Sequence, residues 1–119
     1  MNVLLVDDEA TIRKLTKRML QSRGVEVFDA ASGEDALALS EKHAIDVLVT
    51  DMVMEGMDGS ALAESLIARR PDLPVLFISG YPVDFENERR RFARCAFLAK
   101  PYQSADLMQA INDLAGAAV

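Results

Sequence analysis

The stretch Val3-Leu4-Leu5-Val6-Asp7-Asp8-Glu9 decides the fold. Four apolar residues in a row, two of them β-branched, are too few for an independent helix. They also lack the polar alternation of a strand wetted on one side. Such a run reads as a strand buried on both faces, the mark of a parallel sheet. It stops abruptly on three carboxylates. The same texture recurs at Val25–Phe28, Val47–Val49, Val75–Ile78 and Ala96–Leu98.

Between these runs the spacing turns helical. Ile12, Leu15, Met19 and Leu20 share one face, as do Leu62, Leu66 and Ile67, and again Leu107, Ile111 and Leu114. Residues Glu34–His43 predict a helix capped by Ser32, with Asp35 as its capping-box partner. Gly24 is expected to stop the first helix, Pro71 and Pro74 to bracket the turn into the fourth strand, and Ser104 to cap the last helix. The weakest element is a fourth helix over Asp84–Ala93, where Arg89, Arg90 and Arg91 interrupt Phe85 and Phe92. The Gly116-Ala-Ala-Val119 end is expected to fray. The pattern is βαβαβαβαβα with short connections. It predicts a single α/β domain over residues 1–119, a doubly wound parallel sheet of five strands with five helices on its two faces.

Composition narrows the function. The chain has 119 residues, 19 acidic against 13 basic, and a net charge of −6. Binding nucleic acid by counterion release needs the opposite balance, so no direct nucleic-acid partner is expected. One cysteine allows no internal disulfide and fits a reducing cytosol. No apolar run approaches a membrane span, and the first residues lack the flanks of a secretory peptide. A cytoplasmic domain without membrane attachment is the expectation. The charge is unevenly spread: residues 1–59 hold 12 acidic and 6 basic groups, and the second half holds 7 of each.

Those carboxylates sit where strands end. The first strand runs into Asp7, Asp8 and Glu9, the third into Thr50 and Asp51, the fourth into Ser79-Gly80, and the fifth into Lys100-Pro101. In open α/β sheets ligands gather at the carboxyl ends of strands, near the point where strand order reverses. With a strand order of 2-1-3-4-5, Asp7, Asp8 and Asp51 converge on one crevice. Two unit charges ~5 Å apart at an effective dielectric near 20 repel by about 3 kcal/mol, so the cluster calls for a cation. Oxygen ligands without His or Cys suit a hard ion such as Mg²⁺, which commonly holds a phosphate oxygen as well. Lys100 adds an ammonium and Ser79 a hydroxyl, a set that suits a phosphoryl group. A carboxylate can itself be the nucleophile and form an acyl phosphate. Singly, each residue has a plain alternative. Asp8 can cap the first helix, Asp51 can be a turn residue, Lys100 a solvated lysine, and Ser79-Gly80 an ordinary turn. Five polar residues at successive strand ends are harder to assign to chance.

The chain resembles the receiver domain of two-component response regulators over essentially its whole length. The matching pieces are Leu4-Leu5-Val6-Asp7-Asp8-Glu9, the segment Val49-Thr50-Asp51 through Met57-Asp58-Gly59, Phe77-Ile78-Ser79-Gly80-Tyr81, and Phe97-Leu98-Ala99-Lys100-Pro101-Tyr102. The resemblance implies a flavodoxin-like fold, order 2-1-3-4-5. It makes Asp51 the phosphoacceptor, and Asp7, Asp8, Asp51 and the Val53 backbone carbonyl the Mg²⁺ site. Ser79 and Lys100 would hold the phosphoryl oxygens, and Phe97 would be the switch aromatic, moving from exposed to buried. The implied partner is a sensor histidine kinase or a histidine phosphotransfer protein, and a homodimer through the fourth helix, fifth strand and fifth helix is a further expectation. The Ser79-Gly80-Tyr81 and Lys100-Pro101-Tyr102 pieces are similar to receivers attached to hybrid sensor kinases. With no effector region expected after residue 119, the sequence reads as a stand-alone regulator or a piece of such a kinase.

Three departures stand out. Glu55 replaces the proline usual after the phosphoacceptor, Cys95 a glycine often found before the fifth strand, and Phe97 the commoner tyrosine. Val53 and Tyr81 flank the implied path of a hydrolytic water; neither offers a side-chain amide or carboxylate, so slow self-dephosphorylation is expected. His43 reads as a solvated helix-end residue, Cys95 as a small packed one, and Arg89–Arg91 as a wet helix face. Met52, Met54 and Met57 read as the packing of a mobile loop. The leading class is a phosphorylation-controlled switch that catalyses only its own phosphorylation and dephosphorylation. A Mg²⁺-dependent phosphatase with an aspartyl nucleophile fits less well, because Asp7 and Asp8 are adjacent and no lid of useful length exists. A scaffold receiver ranks last, since every chemical position is filled.

Overall fold

The computed structural model describes residues 1–80 and 85–116. Five strands alternate with five helices: β1 Asn2–Val6, α1 Ala10–Gln21, β2 Glu26–Ala30, α2 Gly33–Lys42, β3 Val47–Asp51, α3 Gly59–Arg69, β4 Val75–Ser79, α4 Glu86–Arg91, β5 Cys95–Ala99 and α5 Ser104–Gly116. The strands form one parallel sheet ordered β2-β1-β3-β4-β5.

Alternation along each strand builds two separate cores. Leu4, Val6, Leu48 and Phe77 face the side covered by Ala36 of α2 and Leu62 and Leu66 of α3. Val3, Leu5, Val49, Leu76 and Ile78 face the opposite side, under Leu20 of α1 and Leu107 and Ile111 of α5. Both faces of the central strands are therefore dry, as their unbroken apolar runs require.

The boundaries differ from the sequence reading in instructive ways. Gly24 does end α1, with φ +82° and its amide bonded to the Gln21 carbonyl. The Val25 amide then bonds the Leu20 carbonyl. Val25 thus belongs to the helix exit, and β2 starts one residue later and runs on through Asp29 and Ala30, which pair with Leu5 and Val6. Polar Thr50 and Asp51 are likewise drawn into β3 by pairing with Phe77 and Ile78. Ser32 caps α2 as expected, accepting from the Asp35 amide at 3.2 Å. Helix α2 stops before His43, whose extended backbone lets its ring stack on Phe28 at 4.0 Å.

One expected cap is corrected, and the plain alternative for Asp8 falls with it. Ser104 is the first helical residue of α5, not its cap: the Gln103 carbonyl accepts the Leu107 amide, and the Ser104 hydroxyl instead accepts from Arg23. Nor does Asp8 cap α1; Glu9 holds that position, without a side-chain capping bond. Helix α4 is shorter than the expected Asp84–Ala93. Asp84 lies outside the described residues, and at the other end Phe92 leaves helical geometry, which lets its ring bury 5.5 Å from that of Phe77. No residue of α4 itself is buried.

Asp58 caps α3 by accepting the Ala61 amide at 2.8 Å, a bond that also fixes where the β3–α3 loop ends. Asp58→Ala is expected to lower unfolding free energy by about 1 kcal/mol. Urea denaturation checks this, with the midpoint falling and the slope unchanged.

Candidate functional site

The carboxyl ends of β1, β3, β4 and β5 meet in a cleft of about 460 Å³, lined by Asp8, Glu9, Asp51, Val53, Ser79, Gly80 and Lys100. Parallel register makes the convergence. Val6 pairs with Thr50, Asp51 with Ile78 and Ser79 with Ala99, so the residues that follow β1 and β5 open onto the same edge as Asp51. Asp7, Asp51 and Ser79 are buried, while Asp8 is exposed. One carboxylate oxygen from each of Asp7, Asp8 and Asp51 lies within 4.8 Å of the others.

Lys100 joins the two buried acids. Its Nζ is 3.0 Å from the Asp51 carboxylate and 3.3 Å from Asp7 Oδ2. Its backbone amide donates to the Ser79 carbonyl at 2.9 Å, and the Lys100–Pro101 peptide is cis. Asp7 has further support. Its Oδ1 accepts the Glu9 amide at 2.9 Å, and its carbonyl accepts from Arg13 Nη1 at 2.7 Å. Arg13 is held in turn by Asp29, which Lys17 also bonds at 2.8 Å. Burial works to raise the Asp29 carboxyl, but the bonds and charges of Lys17 and Arg13 prevail and hold it below the usual carboxylate range. This Asp29–Arg13 brace was not anticipated; its sequence signal is the i, i+4 spacing of Arg13 and Lys17 on one face of α1.

The Asp51 backbone is packed as tightly. The Met52 amide bonds the Ile78 carbonyl, the Gly59 amide bonds the Met52 carbonyl, and a Cβ at Gly59 would stand 2.2 Å from the Asp51 carbonyl oxygen. Only glycine permits that approach. Gly56, with φ +80°, turns the intervening loop.

Three expected residues need separate mention. Val53 lines the mouth of the cleft with its side chain 59% exposed. Tyr81 lies outside the described residues. Phe97 does not line the cleft: it sits on β5, already half-buried rather than exposed. Its ring stacks at 3.9 Å on Phe85 and at 5.6 Å on Phe77, with the Arg89 guanidinium 5.2 Å from its centroid. The arginine run is exposed, as expected of a wet helix face, and from it Arg91 bonds Ser60 and Glu64 of α3. Cys95 is half-buried, pointing its thiol at the Glu88 and Phe92 carbonyls; burial pushes that thiol up, as suits a packed rather than a reactive residue.

Burial, chiefly, pushes the Asp51 carboxyl up to about 6; the Lys100 hydrogen bond pulls the other way, and the nearby Asp7 charge adds to the rise. Burial works to lower the Lys100 ammonium, but its bonds to Asp51 and Asp7 win and raise it. One ammonium cannot neutralise three carboxylates, and an all-oxygen donor set with ligand atoms this close fits a hard divalent cation.

The raised Asp51 has a consequence for stability. Between pH ~4 and ~6 the metal-free folded chain keeps a proton that the unfolded chain has released, so stability falls as pH rises through that window. Asp51→Asn without metal is therefore expected to melt above the native chain at about pH 8 and to lose the advantage below about pH 4. Thermal midpoints across that range in chelator check the sign.

Comparison with known proteins agrees with this geometry. The family model for the response regulator receiver domain matches residues 3–112. Sensor kinase CckA of Brucella abortus is 39% identical over 115 residues, which are 94% of this chain but 12% of that protein. The receiver domain of the hybrid histidine kinase CckA superposes with a TM-score of 0.82 at 33% identity, covering 97% of this chain and 99% of that one. Chemotaxis protein CheY4 of Vibrio cholerae superposes with a TM-score of 0.88 at 27% identity, covering 95% and 97%. No helix among the described residues is long and apolar enough to cross a membrane. With its fold, its acidic cleft and its sequence in agreement, the chain belongs to the response regulator receiver domain family.

Proposed function

We propose that residues 1–119 form one switch domain that takes a phosphoryl group onto Asp51 from a phosphohistidine of a sensor histidine kinase or a histidine phosphotransfer protein. The observation that carries this is the buried Asp51 carboxylate, 3.0 Å from Lys100 at the floor of an acidic cleft. An Asp51 Oδ attacks phosphorus while the phosphorus–nitrogen bond of the donor breaks. The imidazole leaves with the electron pair. Lys100 then turns from the carboxylate to the phosphoryl oxygens, and the Ser79 hydroxyl donates to another as a charge-assisted bond. Asp7, Asp8, Asp51 and the Val53 carbonyl would hold Mg²⁺, which supplies neutralisation of the charge that gathers on the phosphoryl oxygens. Beyond its own labelling and its own hydrolysis the domain turns nothing over.

The switch follows from the packing. Drawing Ser79 inward alters the end of β4, and β4 carries Phe77 against Phe97. Phosphorylation then favours one of two packings of Phe97, Phe85 and α4, as any ligand does through differential affinity. The face formed by α4, β5 and α5 is the proposed output surface, for a partner or a second copy.

Incubation with acetyl phosphate and Mg²⁺, followed by intact-mass measurement, is expected to show one phosphoryl adduct on the native chain and none on Asp51→Asn. The same sample by NMR should show shifts at Phe97 and residues 85–94; shifts confined to the Asp51 loop would mean a phosphate sink. Loss of label should be slow, because Val53 at the cleft mouth can neither donate to nor accept from a water. Val53→Asn or Val53→Glu is expected to speed that decay several-fold. Unchanged or slower decay in both would refute the shielding.

A further inference from the structure

The inward stripe of α1 contains one residue that does not belong to an apolar face. Thr16 stands with Ile12, Met19 and Leu20 and is 2% exposed, whereas Leu15, expected on the same face, is itself exposed. A hydroxyl that deeply buried needs a partner. It finds one 86 residues away, the Tyr102 hydroxyl at 2.5 Å. Tyr102 packs by its ring on the core between the sheet and α5. It also lies two residues after Lys100. Burial, above all, keeps its phenol protonated well past neutrality, so the pair remains a hydroxyl–hydroxyl bond.

The segment 100–102 is therefore tied at both ends. The Lys100 amide is bonded to β4 through the Ser79 carbonyl, and the Tyr102 hydroxyl is bonded to α1. The Lys100 side chain leaves this segment to reach Asp51 and Asp7. Helix α1 is fixed to the other wall of the cleft as well, since Arg13, one turn before Thr16, bonds the Asp7 carbonyl. One helix thus references both the acid and the ammonium. We propose that Thr16 and Tyr102 are a positioning pair for phosphoryl transfer, anchoring the segment after β5 to α1 so that the Lys100 ammonium stays over Asp51 and Asp7.

The inference rests on Asp51 being the phosphoacceptor, and the test separates the two. Tyr102→Phe keeps the ring, Thr16→Val keeps the shape, and Thr16→Ser restores a hydroxyl. With Mg²⁺ saturating and acetyl phosphate varied, Tyr102→Phe and Thr16→Val are each expected to lower the maximal labelling rate about fivefold. The donor concentration at half-maximal rate and the Mg²⁺ affinity should change little. The double variant should be no slower than either single one, because both remove the same bond, and Thr16→Ser should recover most of the rate. In metal-free protein the Lys100 ammonium resonance by ¹⁵N NMR should move toward that of an exposed lysine in both single variants and not in Thr16→Ser. Melting temperatures that fall while the maximal rate and the Lys100 resonance stay native would overturn the pair's role, as would Thr16→Ser behaving like Thr16→Val. A native chain that takes no label on Asp51 would sink the phosphoacceptor reading, and the Lys100 resonance would still decide the positioning claim.

Discussion

Two buried carboxylates share one ammonium, and the rest of the architecture serves that imbalance. Asp7 and Asp51 end different strands, yet Lys100 bonds both. Such an arrangement survives only where the backbone holds it, because charge alone would separate the acids. Parallel pairing supplies the hold. A slip of one residue between β1 and β3 would turn every side chain to the wrong face and disperse the cluster. The dry cores on both sides of the sheet make that slip prohibitively costly.

Support is distributed unequally around the cleft. On the β1 side, Arg13 and Asp29 brace Asp7 through α1. Beneath Asp51, the missing side chain of Gly59 lets α3 begin against the Asp51 carbonyl. The β5 side is different. Its strand is only half-buried, and α4 contributes no buried residue, resting on the Phe85–Phe97 stack and on Arg91.

Much of this was legible in the residues. Unbroken runs such as Val3–Val6 and Val75–Ile78 disclose a two-sided parallel sheet because burial on both faces leaves no place for polar alternation. Asp7, Asp8, Asp51, Ser79 and Lys100 could be gathered because each follows or ends a strand, and topology does the rest. What stayed hidden depends on tertiary partners. Thr50 and Asp51 look like loop yet are strand, since pairing with Phe77 and Ile78 outweighs their own preference. Ser104 has a good cap residue's chemistry, but Arg23 claims its hydroxyl. Thr16 reads as an unremarkable helix residue until Tyr102 arrives from the far end of the chain.

The bareness of α4 gives the molecule a mechanical polarity. The margin at α4 is held by the rings of Phe85 and Phe92, against Phe97 and Phe77, and by a few arginine contacts. Under the proposed switch, work done at the cleft would meet less resistance there than at the strands covered on both faces. The helix itself buries no side chain, so it can shift at little cost as long as the flanking rings of Phe85 and Phe92 stay seated. A chemical event of modest energy would then travel in one direction, outward along β4 and β5, and leave the doubly covered strands in place.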